Sequence, residues 1–319
     1  MRISIAMATY NGSKYIHEQL NSFLCQTRQV EELVVCDDGS FDKTLEILEA
    51  FKQIAPFDMY IYRNEVNLGF TQNFNQALSR CTGDLILISD QDDVWFANKV
   101  ELMEKAFFAN PDKLLAIHDG LLVDEKLVWH GATNLGQAIA GYGDCDSIVT
   151  GALTAVRRDF LLFALPIPAG IVGHDSWLHN LAKLLNVRLV VNAKLQFIRR
   201  YSSNTSNWIA SSTTPINRLN VLISQSLTNA AHSYEDRLQI NESGRQRLKK
   251  ILSIQSIIPA QVIETSLCNL IKEHEALHCR NILICSNFLD RKFMAFQMLF
   301  KGQYRYFNGI NSFLRDFFR

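Results

Sequence analysis

A run of four apolar residues, Leu85 to Ile88, is bounded by Thr82-Gly83-Asp84 on one side and by Ser89-Asp90-Gln91-Asp92-Asp93-Val94-Trp95 on the other. Such a run has no polar alternation, so it reads as a strand covered on both faces, the kind found in parallel sheets wrapped by helices. The rest of the first half supplies that wrapping. Strand patterns at Ile3 to Ala8, Leu33 to Cys36 and Met59 to Tyr62 alternate with helix patterns at Lys14 to Gln26, Thr44 to Lys52, Thr71 to Arg80 and Val94 to Ala109. This order predicts a parallel α/β sheet. The stretch Leu114 to Val156 is less regular and reads as shorter strands and loops, and Leu189 to Phe197 as one more strand.

Asp90, Asp92 and Asp93 therefore stand at a strand's carboxyl end, the edge of an open α/β sheet where ligands bind. Three ionised carboxylates so close repel unless a cation or hydrogen-bond donors hold them, and a divalent metal with a phosphate is the economical explanation. The plainer reading is that Asp93 caps a helix whose apolar stripe runs Val94, Val100, Leu102, Met103, Ala106 and Phe107. Capping accounts for one aspartate, not three.

Two earlier loops repeat this placement. Thr9-Tyr10-Asn11-Gly12 follows the first strand and offers an aromatic face and amide groups; Asp37-Asp38-Gly39-Ser40 follows the second and offers two carboxylates to a base N–H or to ribose hydroxyls. Each alone is an ordinary turn. Their convergence on one sheet edge favours a nucleotide pocket.

Taken in order, Ala8-Thr9-Tyr10-Asn11-Gly12, Cys36-Asp37-Asp38-Gly39-Ser40 with Asp42 and Thr44, the segment Asn67 to Leu78, and Ser89 to Trp95 with Lys99 resemble glycosyltransferase family 2 over residues 1 to about 210. The resemblance implies a GT-A, Rossmann-like fold with a mixed, mainly parallel sheet flanked by helices, and a helical extension after it. It implies an inverting transferase that uses a nucleotide-diphospho-sugar and Mg²⁺ or Mn²⁺. Tyr10 would then pack on the base, with Thr9, Asn11, Asp37 and Asp38 around the nucleoside. Asp90 would serve the ribose and diphosphate, and Asp92 and Asp93 the metal, the division between those two staying open. Gly173-His174-Asp175 falls where the family usually has Glu-Asp, so Asp175 is the expected base for the acceptor hydroxyl and His174 is a departure. The plainer reading of Asp175 is a helix cap, which does not exclude that role. Arg199-Arg200-Tyr201 occupies the place of a family Arg-x-His segment; with Tyr201 standing for the histidine, Arg199 or Arg200 remains as a phosphate ligand. The Asp-Gln-Asp-Asp and His-Asp forms resemble rhamnosyltransferases, suggesting dTDP-rhamnose first, then UDP-glucose or UDP-galactose, and a lipid-linked glycan acceptor in O-antigen or capsule synthesis.

Rival readings rest on other residues. His274-Glu275-Ala276-Leu277-His278 satisfies His-Glu-x-x-His, the zinc metallopeptidase pattern, yet no later histidine or glutamate exists to complete a site. A phosphatase would place its nucleophilic aspartate on the first strand. A non-catalytic sugar-nucleotide module would not need Asp175.

Charge and cysteines complete the reading. Lys+Arg and Asp+Glu both number 32, so no overall field draws the chain to nucleic acid. Seven cysteines without a Cys-x-x-Cys pair suit a reducing cytoplasm. A polar stretch, Ser202 to Pro215, predicts a boundary between a catalytic domain, 1–210, and a helical region, 211–319. From Ser286 onward six basic residues face two acidic ones, leaving +4 there and −4 on the remainder, and ten aromatics follow from Phe288 to Phe318. That tail reads either as a helix packed on the catalytic domain or as a peripheral anchor at the inner face of the membrane.

Overall fold

A computed structural model describes residues 1–142, 144–201, 211–217, 230–253, 257–307 and 309–318. Contacts separate the chain into two units, Met1–Thr228 and Asn229–Arg319. The boundary expected near residue 210 falls in 202–210, outside the described residues.

The first unit is built on β1 (Ile3–Thr9), β2 (Glu32–Asp37), β3 (Asp58–Arg63) and β4 (Leu85–Ser89), with α1 (Ile16–Leu24), α2 (Thr44–Lys52) and α3 (Phe70–Arg80) between them. β3, β2, β1 and β4 lie side by side and all parallel. Ile3, Ile5, Leu33, Val35, Leu85 and Leu87 are fully buried. Each contributes about 1.5–3 kcal/mol relative to exposure.

Beyond β4 the sheet is mixed. β8 (Thr154–Arg157) pairs antiparallel with β4 and with β6 (Leu115–Val123), and β6 runs parallel to β9 (Arg188–Arg199). β7 (Trp129–Thr133) pairs with β6. The helices here are α4 (Lys99–Ala109), α5 (Asn134–Tyr142), α6 (Arg158–Ala164) and α7 (His174–Leu184). β6 and α5 are more regular than the short strands and loops expected there: β6 is buried along nearly all its length, and the Asp119 carboxylate accepts from Leu135 N at 2.8 Å, tying α5 to the strand.

The structure also departs from expectation after the aspartates. Val94 and Trp95 do not open a helix; they form a short strand, β5, antiparallel to β9 with Trp95 opposite Gln196. A β-branched and an aromatic residue suit that pairing. Burial of Trp95 against Phe23, with ring centroids 4.7 Å apart, fixes it, and α4 starts only at Lys99. Asp93 is thus not a helix cap.

The second unit contains α8 (Ala230–Leu252), α9 (Ala260–Cys285), α10 (Phe288–Phe300) and α11 (Ile310–Phe318). Leu283, Ala295, Met298, Tyr304 and Phe313 form its core. The buried Arg280 guanidinium lies 4.4 Å over the Phe307 ring and is paired with the buried Asp316 at 2.8 and 3.1 Å. No helix among the described residues is long and apolar enough to cross a membrane.

His274 and His278 meet edge to face on α9, with centroids 4.6 Å apart. Burial, then His278 and Arg245, hold His274 below the usual imidazole range. Among the described residues no third ligand joins them, and the zinc-peptidase alternative is not supported.

Candidate active site

Register sets the site. Thr9 lies opposite Asp37, and Met7 opposite Ser89, so the loops leaving β1, β2 and β4 emerge together at the carboxyl edge. Gln91 joins the first loop to the third. Its amide accepts from Tyr10 N at 2.9 Å and donates to Tyr10 O at 3.0 Å. A Cβ on Gly12 would sit 2.2 Å from Gln91 Oε1, so only glycine leaves room for that latch. Tyr10 is held with its ring 45% exposed, and Phe41, 82% exposed, meets it edge-on at 6.3 Å. Phe41 carried no sequence signal of its own.

The second loop holds its own carboxylates. Asp37 is buried and accepts from Thr9 Oγ1 at 3.0 Å and Ser40 N at 2.9 Å. Asn11, in a left-handed conformation (φ 49°), takes Ser40 Oγ at its N–H and Phe41 N at its side-chain oxygen. Asp38 accepts from Asn64 Nδ2 at 2.8 Å, Leu68 N at 2.8 Å and Gly69 N at 2.9 Å. It thereby fixes the entry to α3. Both carboxylates hold the loops at this sheet edge from within.

The three aspartates of the third loop are differently held. Asp93 is buried and accepts from Gln196 Nε2 at 2.7 Å and Arg199 N at 3.1 Å. Asp92 accepts from the Tyr201 hydroxyl at 2.7 Å. Asp90 is only partly buried. Burial raises the proton affinity of all three, Asp93 well above the ordinary carboxylate range, and mutual repulsion adds to this at Asp90 and Asp93. Asp90 is pushed up to about 7, first by burial and then by the charges of Asp92 and Asp175.

Cations partly offset this charge. Lys99 is buried, donates to Ala152 O at 3.1 Å and to Gln196 Oε1, and lies 3.8 Å over the Trp95 ring. Burial pulls its ammonium well below the usual lysine range against the opposing field of Asp93 and Asp90. Arg200 carries the same competition: burial lowers it, while Asp93, Asp92 and Asp90 raise it. Arg199 is instead consumed within the protein. It donates to Asp92 O at 2.9 Å, Glu125 O at 2.6 Å and the Glu18 carboxylate, with its guanidinium 4.5 Å over Tyr15. It is a clamp between β9, the acidic loop and α1.

Asp175 lies in the first turn of α7 after Gly173, whose φ of 93° takes the chain into the helix. The cap is Gly173, and Asp175 Oδ1 accepts from Ser176 N at 2.8 Å. His174 is buried, its ring 4.0 Å from that of Phe74, and among the described residues neither nitrogen has a hydrogen-bond partner. Neither Gln91 nor Gln196 was readable in advance as part of the site: one sits inside an acidic motif, the other in mid-strand, and only register brings them to it.

The pH response separates two sets of groups. A carboxyl whose folded pKa is raised to about 7 binds a proton before the unfolded chain does, so metal-free protein should gain stability as pH falls through that value. His118, His174 and His179 are held neutral by burial, so below the ordinary histidine range of about 6.5 they act in the opposite sense. We expect the melting temperature in EDTA to rise from about pH 8 to about pH 7 and to turn over below it. The rise should be smaller in Asp90→Asn, with Asp93 and Asp92 keeping their share. A parental rise in that variant would assign it to other groups.

Comparisons with known proteins agree with this geometry. Residues 4–121 match the family model for glycosyl transferase family 2. An uncharacterized glycosyltransferase of Nostoc sp. is 32% identical over 176 residues, 52% of this chain and 54% of that protein. The UDP-Glc:alpha-D-GlcNAc-diphosphoundecaprenol beta-1,3-glucosyltransferase of Escherichia coli is 35% identical over 109 residues, 34% of this chain and 42% of that protein. The chain spans about half the length of the curated relatives it matches. The crystal structure of residues 1–349 of Staphylococcus aureus TarS with UDP superposes with a TM-score of 0.53 at 18% identity, covering 86% of this chain and 72% of that one. That likeness shows the fold, the GT-A arrangement expected from the motifs. The segment that matches glycosyl transferase family 2 holds Tyr10, Asp38 and all three crowded aspartates, so the likeness of the amino-terminal part of this chain to that family extends to the residues of the site.

Proposed function

We propose that the chain is an inverting glycosyltransferase. It moves a hexosyl or deoxyhexosyl unit, rhamnose, glucose or galactose, from a nucleotide-diphospho-sugar to a lipid-linked glycan in surface-polysaccharide assembly. It works in the cytoplasm, with peripheral contact at the inner face of the membrane. The observation that supports this reading is the crowding of Asp90, Asp92 and Asp93 after β4, at the sheet edge where the loop bearing the exposed Tyr10 also emerges, with Asp175 among the charges that raise Asp90. The Escherichia coli relative's name, with its UDP-glucose donor and diphosphoundecaprenol-linked acceptor, supports the substrate classes over the shared segment.

The residues fit a hard divalent cation. Among the described residues no three His, Cys, Asp or Glu side chains stand ready as a ligand set, Asp93 being turned to Gln196 and Arg199 and Asp92 to Tyr201. The chemistry of the set is nonetheless all-oxygen and anionic, and burial first, then repulsion among the carboxylates at Asp90 and Asp93, raises its proton affinity. In this reading Asp92 and Asp93 hold Mg²⁺ or Mn²⁺, which when bound would neutralise charge on the departing diphosphate. Tyr10 packs on the base, while Thr9, Asn11, Asp37 and Asp38 frame the nucleoside. Asp90 and Arg200 serve the ribose and diphosphate, and Arg199 braces their loop. Asp175 accepts the proton of the acceptor hydroxyl as its oxygen bonds to the anomeric carbon. The bond from that carbon to the diphosphate oxygen breaks, and its electron pair leaves with the nucleoside diphosphate. One displacement inverts the centre.

The test is thermal stabilisation by a panel of nucleotide-sugars with and without Mn²⁺. The correct donor at a hundredfold excess over Kd should add about 2.7 kcal/mol. No shift with any nucleoside diphosphate or nucleotide-sugar would overturn the reading.

A further inference from the structure

The solvent side of α10 is apolar. Phe288, Leu289, Phe293, Phe296 and Phe300 are all exposed, Leu289 at 76% and Phe300 at 85%, while the opposite side of the helix buries Ala295 and Met298. Both sides of the helix are therefore apolar, and among the described residues the outward side is covered in part, where Phe296 meets Phe313 and Phe317 with ring centroids 5.6 and 5.2 Å apart. Phe318 on α11, 75% exposed, extends the same character. An exposed aromatic strip of this length on a folded surface marks an interaction site.

Its charge says what it meets. Asp316, one of two acidic residues in this segment, is buried and consumed by Arg280. Lys301, Arg305 and Arg315 are exposed, and Lys292 lies 4.1 Å over the Phe288 ring and 5.0 Å over that of Phe317. Asp290 remains as the exposed acid. Outwardly the segment is thus more basic than its sequence count. Aromatic side chains interleaved with cations match the acyl boundary and headgroups of an anionic bilayer, whereas two copies joined through this face would bring like charges together.

We infer that the exposed face of α10, continued by α11, docks on an anionic lipid leaflet. The inference deepens the proposed membrane contact and rests on that reading. Exposed side chains can be changed there without touching the core, so folding is not at stake.

The experiment is sedimentation of the full chain with phosphatidylglycerol–phosphatidylcholine vesicles and with phosphatidylcholine vesicles alone. Binding should require the anionic lipid and fall as salt rises. Each basic side chain near such a surface is worth roughly fivefold in partitioning, so Lys301→Gln/Arg305→Gln/Arg315→Gln should weaken binding on the order of a hundredfold. Phe293→Ser/Phe300→Ser should weaken it at all salt concentrations. Donor-induced thermal stabilisation without vesicles should be unchanged in both variants, which separates failure of this surface from failure of the donor site. Failure of the parent to sediment with anionic vesicles, or a dimer that the Phe293→Ser/Phe300→Ser variant breaks, would overturn the inference.

Discussion

Changing Asp175 to Asn is expected to lower transfer by on the order of 10² to 10⁴ while donor affinity survives. The reason lies in where Asp175 sits. It is in the first turn of α7, half-buried, with Oδ1 accepting from Ser176 N. Asparagine can keep that bond through its own oxygen, so the helix start and the fold should persist. What is lost is the proton acceptor. Asp90 should also relax toward ordinary acidity, since Asp175 is one of the charges that raise it. Turnover measured beside calorimetric donor affinity decides the matter. Near-parental turnover would move the base elsewhere; lost donor binding would make Asp175 a binding residue.

Asp92→Asn is expected to remove metal-dependent donor binding, and with it transfer, leaving the fold intact. The Tyr201 hydroxyl can still donate to the asparagine oxygen, so the substitution deletes charge more than structure. Asp93→Asn should also abolish transfer but at an added cost in stability. Both its oxygens accept, from Gln196 and from Arg199 N, and Gln196 cannot turn its amide round without abandoning Lys99. An amide there leaves a buried donor facing a donor, about 1–3 kcal/mol. Denaturant midpoints should separate the two variants. Parental turnover in EDTA would sink the metal assignment for both.

The first half of the sheet was legible because its physics is local. Leu33 to Cys36 and Leu85 to Ile88 are continuous apolar runs, and each ends on a polar turn that declares the strand's end. Val94 and Trp95 misled because their apolar stripe suits α4, while a partner a hundred residues away, β9, claims them as a strand. The same distance hid Gln196 as a support of Asp93, since a lone glutamine in mid-strand has no pattern until the sheet is closed; Lys99 was visible as part of the motif, but not that it donates to Gln196. Asp37 and Asp38 were visible as carboxylates at a strand end, but that the protein's own N–H groups occupy them depends on where the Asn64 to Gly69 loop returns.

Gln91 sits between Asp90 and Asp92 in sequence and grips both main-chain groups of Tyr10 in space. A single amide thereby ties the main chain at the aromatic end to the loop that bears the carboxylates. The two halves of a nucleoside diphosphate bound across this span would not bring independent free energies. Nucleoside alone and pyrophosphate alone should have affinities whose combination misjudges the whole, because whichever arrives first has already stiffened the loop that receives the other.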